Sequence, residues 1–580
     1  MKSDFVSLAA PRTDIHATLP NGSVMAAPHG TTLHTLFQAA VAHGWLPAHP
    51  PIAAAVVDGR LRELSYAPTR DANVTPVTIV EPDGARIYRR SLVLLLVVAV
   101  YELYPDLIVD VSYAIPDGGY FCKFPGCPPP DEAMLNKIEQ HMQAIVAADA
   151  PITRSIVPLS EALHLFEQRG DHDKLRLLES RDRDTLALYE LRGYRDYYYG
   201  YMLPSTGYLR RFRLLPTDGG FILQYPHQDT PDTLTPLVGQ SKMNAVFQEA
   251  HEALDRLGVA DVGRLNQIIR SQGIQEVILI AEALQEQHIS NIAQEIARRI
   301  KHGVKLITIA GPSSSGKTTF SKRLAIQLMA LGVQPLTIEL DNFFVDREHT
   351  PRDANGDYDF EALEAINLSL LNDVMHRLLN GEEVQLPKFN FLTGKSGLGA
   401  VVRLLPNQII VTEGIHGLNP RLFASLPHSS IHHLYVSMLT QLNLDRHNRV
   451  STSDVRLLRR IVRDARTRGY TASDTISRWQ SVRRGEKRNI FPHQENADAL
   501  FDSGLTYELA ALRPFAEPLL LQVAFGTPQH VEANRLLSFL RWVEPLNADQ
   551  LAMIPDTSLL REFIGGSVLE RYHPGTLGTS

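Results

Sequence analysis

Between Ile309 and Phe320 the chain reads IAGPSSSGKTTF, and Gly311, Gly316, Lys317 and Thr318 fit the spacing G-x-x-x-x-G-K-[ST]. Glycines at those positions let successive backbone N–H groups turn toward phosphate oxygens, and a helix beginning at the lysine adds its positive end. Lys317 can then reach the β and γ phosphates of a nucleoside triphosphate, and the Thr318 hydroxyl suits Mg2+. Ser313, Ser314, Ser315 and Thr319 complete the run that would surround the phosphates of ATP.

Two carboxylates stand where this chemistry can use them. Asp341 ends the apolar run PLTIEL and Glu413 ends NQIIVTEG, both read as strands. In an open parallel sheet, strand ends of this kind point into the ligand crevice. Either carboxylate could hold Mg2+ or accept a proton from an acceptor hydroxyl. Farther on, VRLLRRIVRDARTRG puts Arg456, Arg459, Arg460 and Arg463 on one helical face, with Leu457, Leu458, Ile461 and Val462 on the other. Four like charges in a stripe repel unless an anion is present, so the segment, continued by Arg466 and Arg468, reads as a lid closing on a triphosphate; a solvated face is the alternative.

The elements around these residues set the fold class. From Val304 the order strand, glycine loop, helix, strand predicts an α/β domain with a parallel sheet over residues 304–520. Residues 1–85 alternate short apolar runs with turn signals around one helical stretch and predict a small α+β module; 86–225 predict a second. Residues 226–303 read as a helical connector and 521–580 as a helical tail. The 580-residue chain is 44% hydrophobic with a net charge of −7, which suits a multidomain protein and gives no global pull toward nucleic acid. Cys122 and Cys127 are too few for a disulfide framework or a four-thiolate site, read as structural, and point to a reducing compartment. The start, MKSDFVSLAAPRTD, lacks a leader pattern, and the apolar run Leu92–Tyr101 is far short of the roughly 18 to 20 residues that a membrane span needs. The expectation is a cytoplasmic protein with that run as a core helix.

GPSSSGKTT, LDNFF, VQLPKFNF, VTEGI and RRIVRD, in this order, resemble the uridine kinase and phosphoribulokinase group of P-loop kinases over Val304 to Leu520. The resemblance implies that Asp341 is the base toward the acceptor hydroxyl, that Glu413 lies near Mg2+, and that Asp359 in DYDFE holds ribose hydroxyls. It places the paired lid arginines at Arg460, toward the acceptor, and Arg463, toward the transferred charge, with Arg468 beyond on the nucleotide. The sequence departs from the uridine kinases where the base is read: a Tyr is Phe389, a His is Gly394, and an Arg and a Gln beyond the lid are Tyr470 and Arg478. Uracil selectivity is therefore not implied.

The first module resembles the TGS domain, a β-grasp unit of threonyl-tRNA synthetases, and the second resembles their editing domain through ELYPDLIVDVSYAIPDGGYFCKF and RDYYYGYMLPSTG. The four metal-ligand positions of that family are Leu94, Val98, Tyr198 and Met202 here, none suited to zinc, so editing should be lost. Tyr194, Tyr197, Tyr198, Tyr199 and Tyr201 then read as repacked core, with a stacking platform as the alternative. The expectation is an ATP- and Mg2+-dependent kinase acting on the 5'-hydroxyl of a ribonucleoside or related ribose compound, with the synthetase-like modules as scaffold or regulator. A sugar or sugar-phosphate kinase, or an RNA-binding regulator with a nucleotide switch, stand as alternatives. No N-K-x-D guanine reader follows the loop, which disfavours a GTPase. The acceptor's identity, any tRNA contact through the front modules, and homo-oligomer formation stay open.

Overall fold

The computed structural model describes residues 12–115, 118–181, 183–237, 239, 241–352, 356, 358–390, 393–439 and 442–574. The segment read above as lacking a leader falls mostly outside these residues, as does the Gly- and Ser-containing end of the tail. The chain divides into two compact units.

The first unit gathers the described residues within Met1–Val238, Leu444–Arg449 and Val523–Phe539. Strands β1 (Asp14–Thr18), β2 (Val24–Pro28), β3 (Ile52–Val57), β4 (Arg60–Glu63) and β5 (Ala72–Thr78) form a mixed sheet in the order β2-β1-β5-β3-β4, with β1 and β5 parallel. Helix α1 (Leu33–Ala42) starts at Thr32, whose side chain accepts from the Thr35 N–H, and buries Leu33, Leu36 and Phe37 in the core beneath that sheet. This is the β-grasp arrangement expected of the first module. Helix α2 (Pro82–Leu103) opens with Pro at its first position, and every residue from Ser91 to Val100 is buried. The apolar run is a core helix, and no described helix is long and apolar enough to cross a membrane.

Around α2 lie an antiparallel sheet of β6 (Asp110–Ile115), β7 (Gly119–Lys123), β11 (Arg213–Thr217) and β12 (Gly220–Gln224), and a second of β8 (Ile152–Pro158), β9 (Thr185–Leu191) and β10 (Tyr194–Tyr197). Helix α3 (Glu132–Ala147) is capped by Asp131; α4 (Leu159–Arg169) and α5 (His172–Leu178) follow β8. Leu94, Val98, Tyr198 and Met202 are each 2% exposed or less and belong to this apolar core. Tyr197 is buried too, so for these two tyrosines the repacked-core reading describes the structure and the stacking platform does not. Beside them Lys174, 1% exposed, lies 3.0 Å from Asp196 and 3.3 Å from Asp445, and His447 Nδ1 lies 2.7 Å from the other Asp196 oxygen. The His447 ring stacks on Tyr198 at 6.2 Å, and Asn448 donates to the Tyr197 carbonyl. The segment 444–449 thus lies against Tyr198, one of the four positions where the synthetase resemblance puts metal ligands.

The second unit gathers the described residues within Gly239–Asn443, Val450–Gln522 and Leu540–Ser580. Helices α6 (Ser241–Leu257), α7 (Val262–Arg270) and α8 (Ile274–Ile300) precede a parallel five-stranded sheet. Its strands are β13 (Leu306–Ala310), β14 (Gln334–Glu339), β17 (Gln408–Glu413), β18 (Ile431–Ser437) and β19 (Ala499–Asp502), in the order β14-β17-β13-β18-β19. All residues of central β13 are buried, as a strand covered on both faces requires. Helix α9 (Lys317–Ala330) links β13 to β14, and α10 (Leu368–Leu379) leads to a hairpin of β15 (Glu383–Asn390) and β16 (Lys395–Arg403). Helix α11 (Thr452–Arg468) stops at Gly469 in the left-handed region, and α12 (Ala472–Asn489) starts with a reciprocal Thr471–Asp474 capping box. Helices α13 (Glu508–Leu521), α15 (Ala548–Ala552) and α16 (Arg561–Ile564) complete this unit, whereas α14 (Pro528–Leu540) belongs, except for its last residue, to the first.

Among the described residues, removing Lys174 would leave Asp445 with only the hydrogen bonds from His447 and Asn448, and Asp196 with Arg169 and His447. Lys174→Ala is expected to lower the stability of the first unit by about 3–5 kcal/mol, read as a shifted unfolding transition, and a shift near zero would mean that the cluster is not ion-paired.

Candidate phosphate-transfer site

The phosphate loop joins the C-terminal end of β13 to α9, at the edge of the sheet where β14 and β17 also end. Gly316 adopts φ +84°, and a Cβ there would meet Leu559, so the loop tolerates no side chain at this point. Lys317 Nζ donates to the Pro312 carbonyl at 3.2 Å, and Thr318 Oγ1 donates to Glu413 Oε2 at 3.3 Å. The register pairs Ile309 with Glu413 and Glu339 with Glu413, which sets Glu413 between the loop strand and the strand that leads to Asp341.

Helix α11 lies against the loop in a way that corrects part of the lid reading. Arg456 and Arg459 are 1% and 0% exposed, with no solvent face and no opening toward a ligand. Arg456 pairs with Glu486 of α12 and donates from Nε to the Ser313 carbonyl at 2.9 Å. Arg459 pairs with Glu508 of α13 and donates from Nη1 to the Ser314 carbonyl at 3.3 Å. Glu486 also accepts from the Ser313 N–H at 3.0 Å. The anions that the charge stripe called for are internal carboxylates, because both faces of α11 are packed.

Three of the remaining four arginines converge on one acid, and Arg466 pairs with Glu570 instead. Asp464, 2% exposed at its side chain, lies 3.3 Å from Arg460, 2.8 Å from Arg463 and 3.6 Å from Arg468. Arg460 Nη1 also donates to Ser313 Oγ at 2.8 Å. One carboxylate against three guanidiniums leaves an excess of positive charge beside the loop.

Facing that excess is a group of carboxylates with raised pKa. Burial pushes Glu413 up to about 7, with Asp341, Glu562 and Glu339 adding to the shift and Lys317 opposing it. Burial likewise raises Glu361 to about 7, helped by Glu486 and Asp341 and opposed by Arg460 and Lys317. Asp341 is raised chiefly by its enclosure, against the pull of Lys317 and Arg468, although one side of it stays open to solvent. Such oxygen donors suit a hard cation: Thr318 and Glu413 fit Mg2+, whose charge would relieve the repulsion that raises Glu413.

The acceptor-side residues are arranged less uniformly. Asp359, 10% exposed, pairs with Arg488 of α12 and accepts from the Glu361 N–H at 3.2 Å. Phe389 is 5% exposed and packs edge-on against Phe344 in the core, so it offers no open ring to a ligand. Arg347 fills the space into which a side chain at Gly394 would project. Tyr470 and Arg478 stack on each other at 4.5 Å beyond the end of α11. Reading by type and spacing had not singled out Glu361, Arg347, Glu486, Glu508 or Glu562. Glu361 alone carried a signal, two residues from Asp359.

Residues 306–510 match the Phosphoribulokinase / Uridine kinase family. The N-terminal region is similar to threonine–tRNA ligases: 35% identical over 204 residues to that of Burkholderia multivorans, and 32% over 209 residues to that of Symbiobacterium thermophilum. These alignments cover 35% and 36% of this chain, and the chain spans only 31% of the length of each of these relatives. A solved structure titled as a possible uridine kinase from Bacillus stearothermophilus is 16% identical, with a TM-score of 0.24, and the match covers 36% of this chain and all of that one.

A carboxyl raised in the folded state binds protons that the unfolded chain has lost. Stability should therefore fall as pH rises from the ordinary 4.5 of Glu413 toward about 7. We expect a loss on the order of 1–2 kcal/mol across that window after screening, smaller in Glu413→Gln; denaturation midpoints measured between pH 5 and 7.5 check it, and a rise with pH would contradict it. Residues 306–510 thus match the Phosphoribulokinase / Uridine kinase family, in one chain with an N-terminal region similar to threonine–tRNA ligases.

Proposed function

We propose that this protein transfers the γ-phosphate of ATP to the 5'-hydroxyl of a ribonucleoside or a related ribose compound, in the cytoplasm. The observation that supports it best is the convergence of Lys317, the Thr318–Glu413 pair and Asp341 at one edge of the parallel sheet. The phosphate chain of ATP would lie along residues 311–319. Thr318 and Glu413 would hold Mg2+, which when bound supplies charge neutralisation along that chain.

Asp341 acts as the base. Its raised pKa makes it a better proton acceptor than an ordinary aspartate, and Lys317 keeps it ionised enough to work near neutral pH. Lys317 and Arg463 balance charge that spreads over the transferred group, and Arg468 lies within electrostatic reach of Asp341. Asp359 accepts from the ribose hydroxyls after exchanging Arg488 for the acceptor, and Arg460 lines the same side. Glu361, with one oxygen buried and lacking a hydrogen-bond partner among the described residues, faces the same region and is a further acceptor contact in this reading. The N-terminal synthetase-like region serves as scaffold or regulator.

One observation favours a second reading. With Phe389 in the core and Arg347 in the space beside Gly394, the pocket presents no base-edge reader in the places the uridine kinases use. That suits a sugar or sugar phosphate as well as a nucleoside.

Asp341→Asn is expected to lower turnover by roughly 10²- to 10⁴-fold with little change in ATP affinity; near-parental turnover at saturating acceptor would remove Asp341 as base. Asp359→Ala, or a 2'-deoxy acceptor offered to the parent, should cost about ten- to a hundredfold in kcat/KM. The measurement is kcat/KM across ribonucleosides, deoxyribonucleosides and free sugars. Equal use of deoxy and ribo acceptors, or activity on non-ribose sugars alone, would discard the ribose assignment and put the second reading first.

A further inference from the structure

The phosphate loop is not empty of anions. Glu562, from the short helix α16 near the end of the chain, directs one carboxylate oxygen, Oε2, at the start of α9. The Thr319 backbone N–H donates to that oxygen at 3.3 Å and the Thr319 hydroxyl donates to it at 2.7 Å. Thr319 is the third residue of α9, in the turn whose N–H groups, with those of the loop, cradle the inner phosphates of a bound nucleotide. A side-chain carboxylate therefore takes two donors that this kind of loop offers to phosphate.

The segment that carries Glu562 is anchored independently of that contact. Leu559, Leu560 and Phe563 are fully buried, Leu559 packs on Gly316, and the Arg459 guanidinium lies over the Phe563 ring. Arg466 donates to the Glu562 carbonyl at 2.9 Å, and Lys322 donates to the Leu569 carbonyl at 2.7 Å. The Glu562 side chain by contrast is only partly buried and adds to the negative potential at Glu413. A rotation of this one side chain frees Thr319 while the backbone stays docked.

We propose that Glu562 is an internal competitor for the nucleotide. In the unliganded protein its carboxylate stands in for a phosphate oxygen at Thr319, and nucleotide binding displaces it. The cost of that exchange lowers nucleotide affinity, and any event that draws the α16 segment away raises it. The site becomes self-occupied at low nucleotide and opens only when a phosphate chain outcompetes the carboxylate.

The inference rests on the reading of residues 311–319 as a nucleotide site, and the test separates the two. Binding of MgADP and of inorganic tripolyphosphate to the full chain is measured by calorimetry for the parent, Glu562→Gln, Glu562→Ala and Glu570→Gln. Glu570 sits on the same segment, 3.4 Å from Arg466, and serves as control. Loss of one charged hydrogen-bonding competitor should tighten both ligands about tenfold in Glu562→Ala and by a smaller factor in Glu562→Gln, while Glu570→Gln matches the parent. Unchanged or weaker binding in both Glu562 variants, at parental unfolding temperature, overturns the competition while leaving the nucleotide site in place. Tightening of MgADP without tripolyphosphate also overturns it, because the effect would then not lie at a phosphate position. Absence of MgADP binding in every protein overturns both.

Discussion

Two buried ion pairs beneath the phosphate loop set the geometry on which the rest of the second unit depends. Arg456 with Glu486, and Arg459 with Glu508, tie three helices together and hold the Ser313 and Ser314 carbonyls away from the ligand side. Buried pairs of this kind contribute little net stability, because desolvation offsets their attraction, but losing one partner is costly and the orientation they impose is specific. With those carbonyls drawn back, the loop can turn N–H groups forward, and Glu486 holds the Ser313 N–H in the same network. The packing of α11 on both faces follows from this arrangement. So does the gathering of Arg460, Arg463 and Arg468 around Asp464 on the side where charge would develop.

Local spacing made much of this visible in the sequence. The glycine loop, Glu413 at the end of β17 and the apolar run of α2 all depend on residues a few positions apart, and the structure sets them in the elements expected; Asp341, expected to end a strand, lies instead in a 3-10 turn two residues beyond the end of β14. The arginine stripe shows where that logic stops. Periodicity gives the faces of a helix but not what covers them, and the partners Glu486 and Glu508 lie 30 and 49 residues beyond their arginines. Glu562 is 243 residues from Thr319, and no pattern near either one announces the contact. The burial of Phe389 in the core is not legible from its residue type alone.

The carboxylates at the sheet edge share a common cause. Glu413 and Glu361 are partly buried, and the negative charge of the more exposed Asp341 adds to the cost of burying each of them. Such a group is unfavourable for folding and useful for binding: a divalent cation and a hydroxylic acceptor both relieve it. In the first unit the opposite has happened. Lys174, Asp196, Asp445 and His447 pair with one another, and aliphatic and aromatic side chains stand where the synthetase resemblance puts metal ligands.

The fate of the γ-phosphate decides the account most directly. Full-length protein incubated with Mg2+, γ-labelled ATP and a mixture of ribonucleosides should place the label on an organic 5'-phosphomonoester, with ADP formed only when acceptor is present. Label found solely as inorganic phosphate at a rate independent of acceptor, or ATP left intact with every acceptor offered, would contradict it.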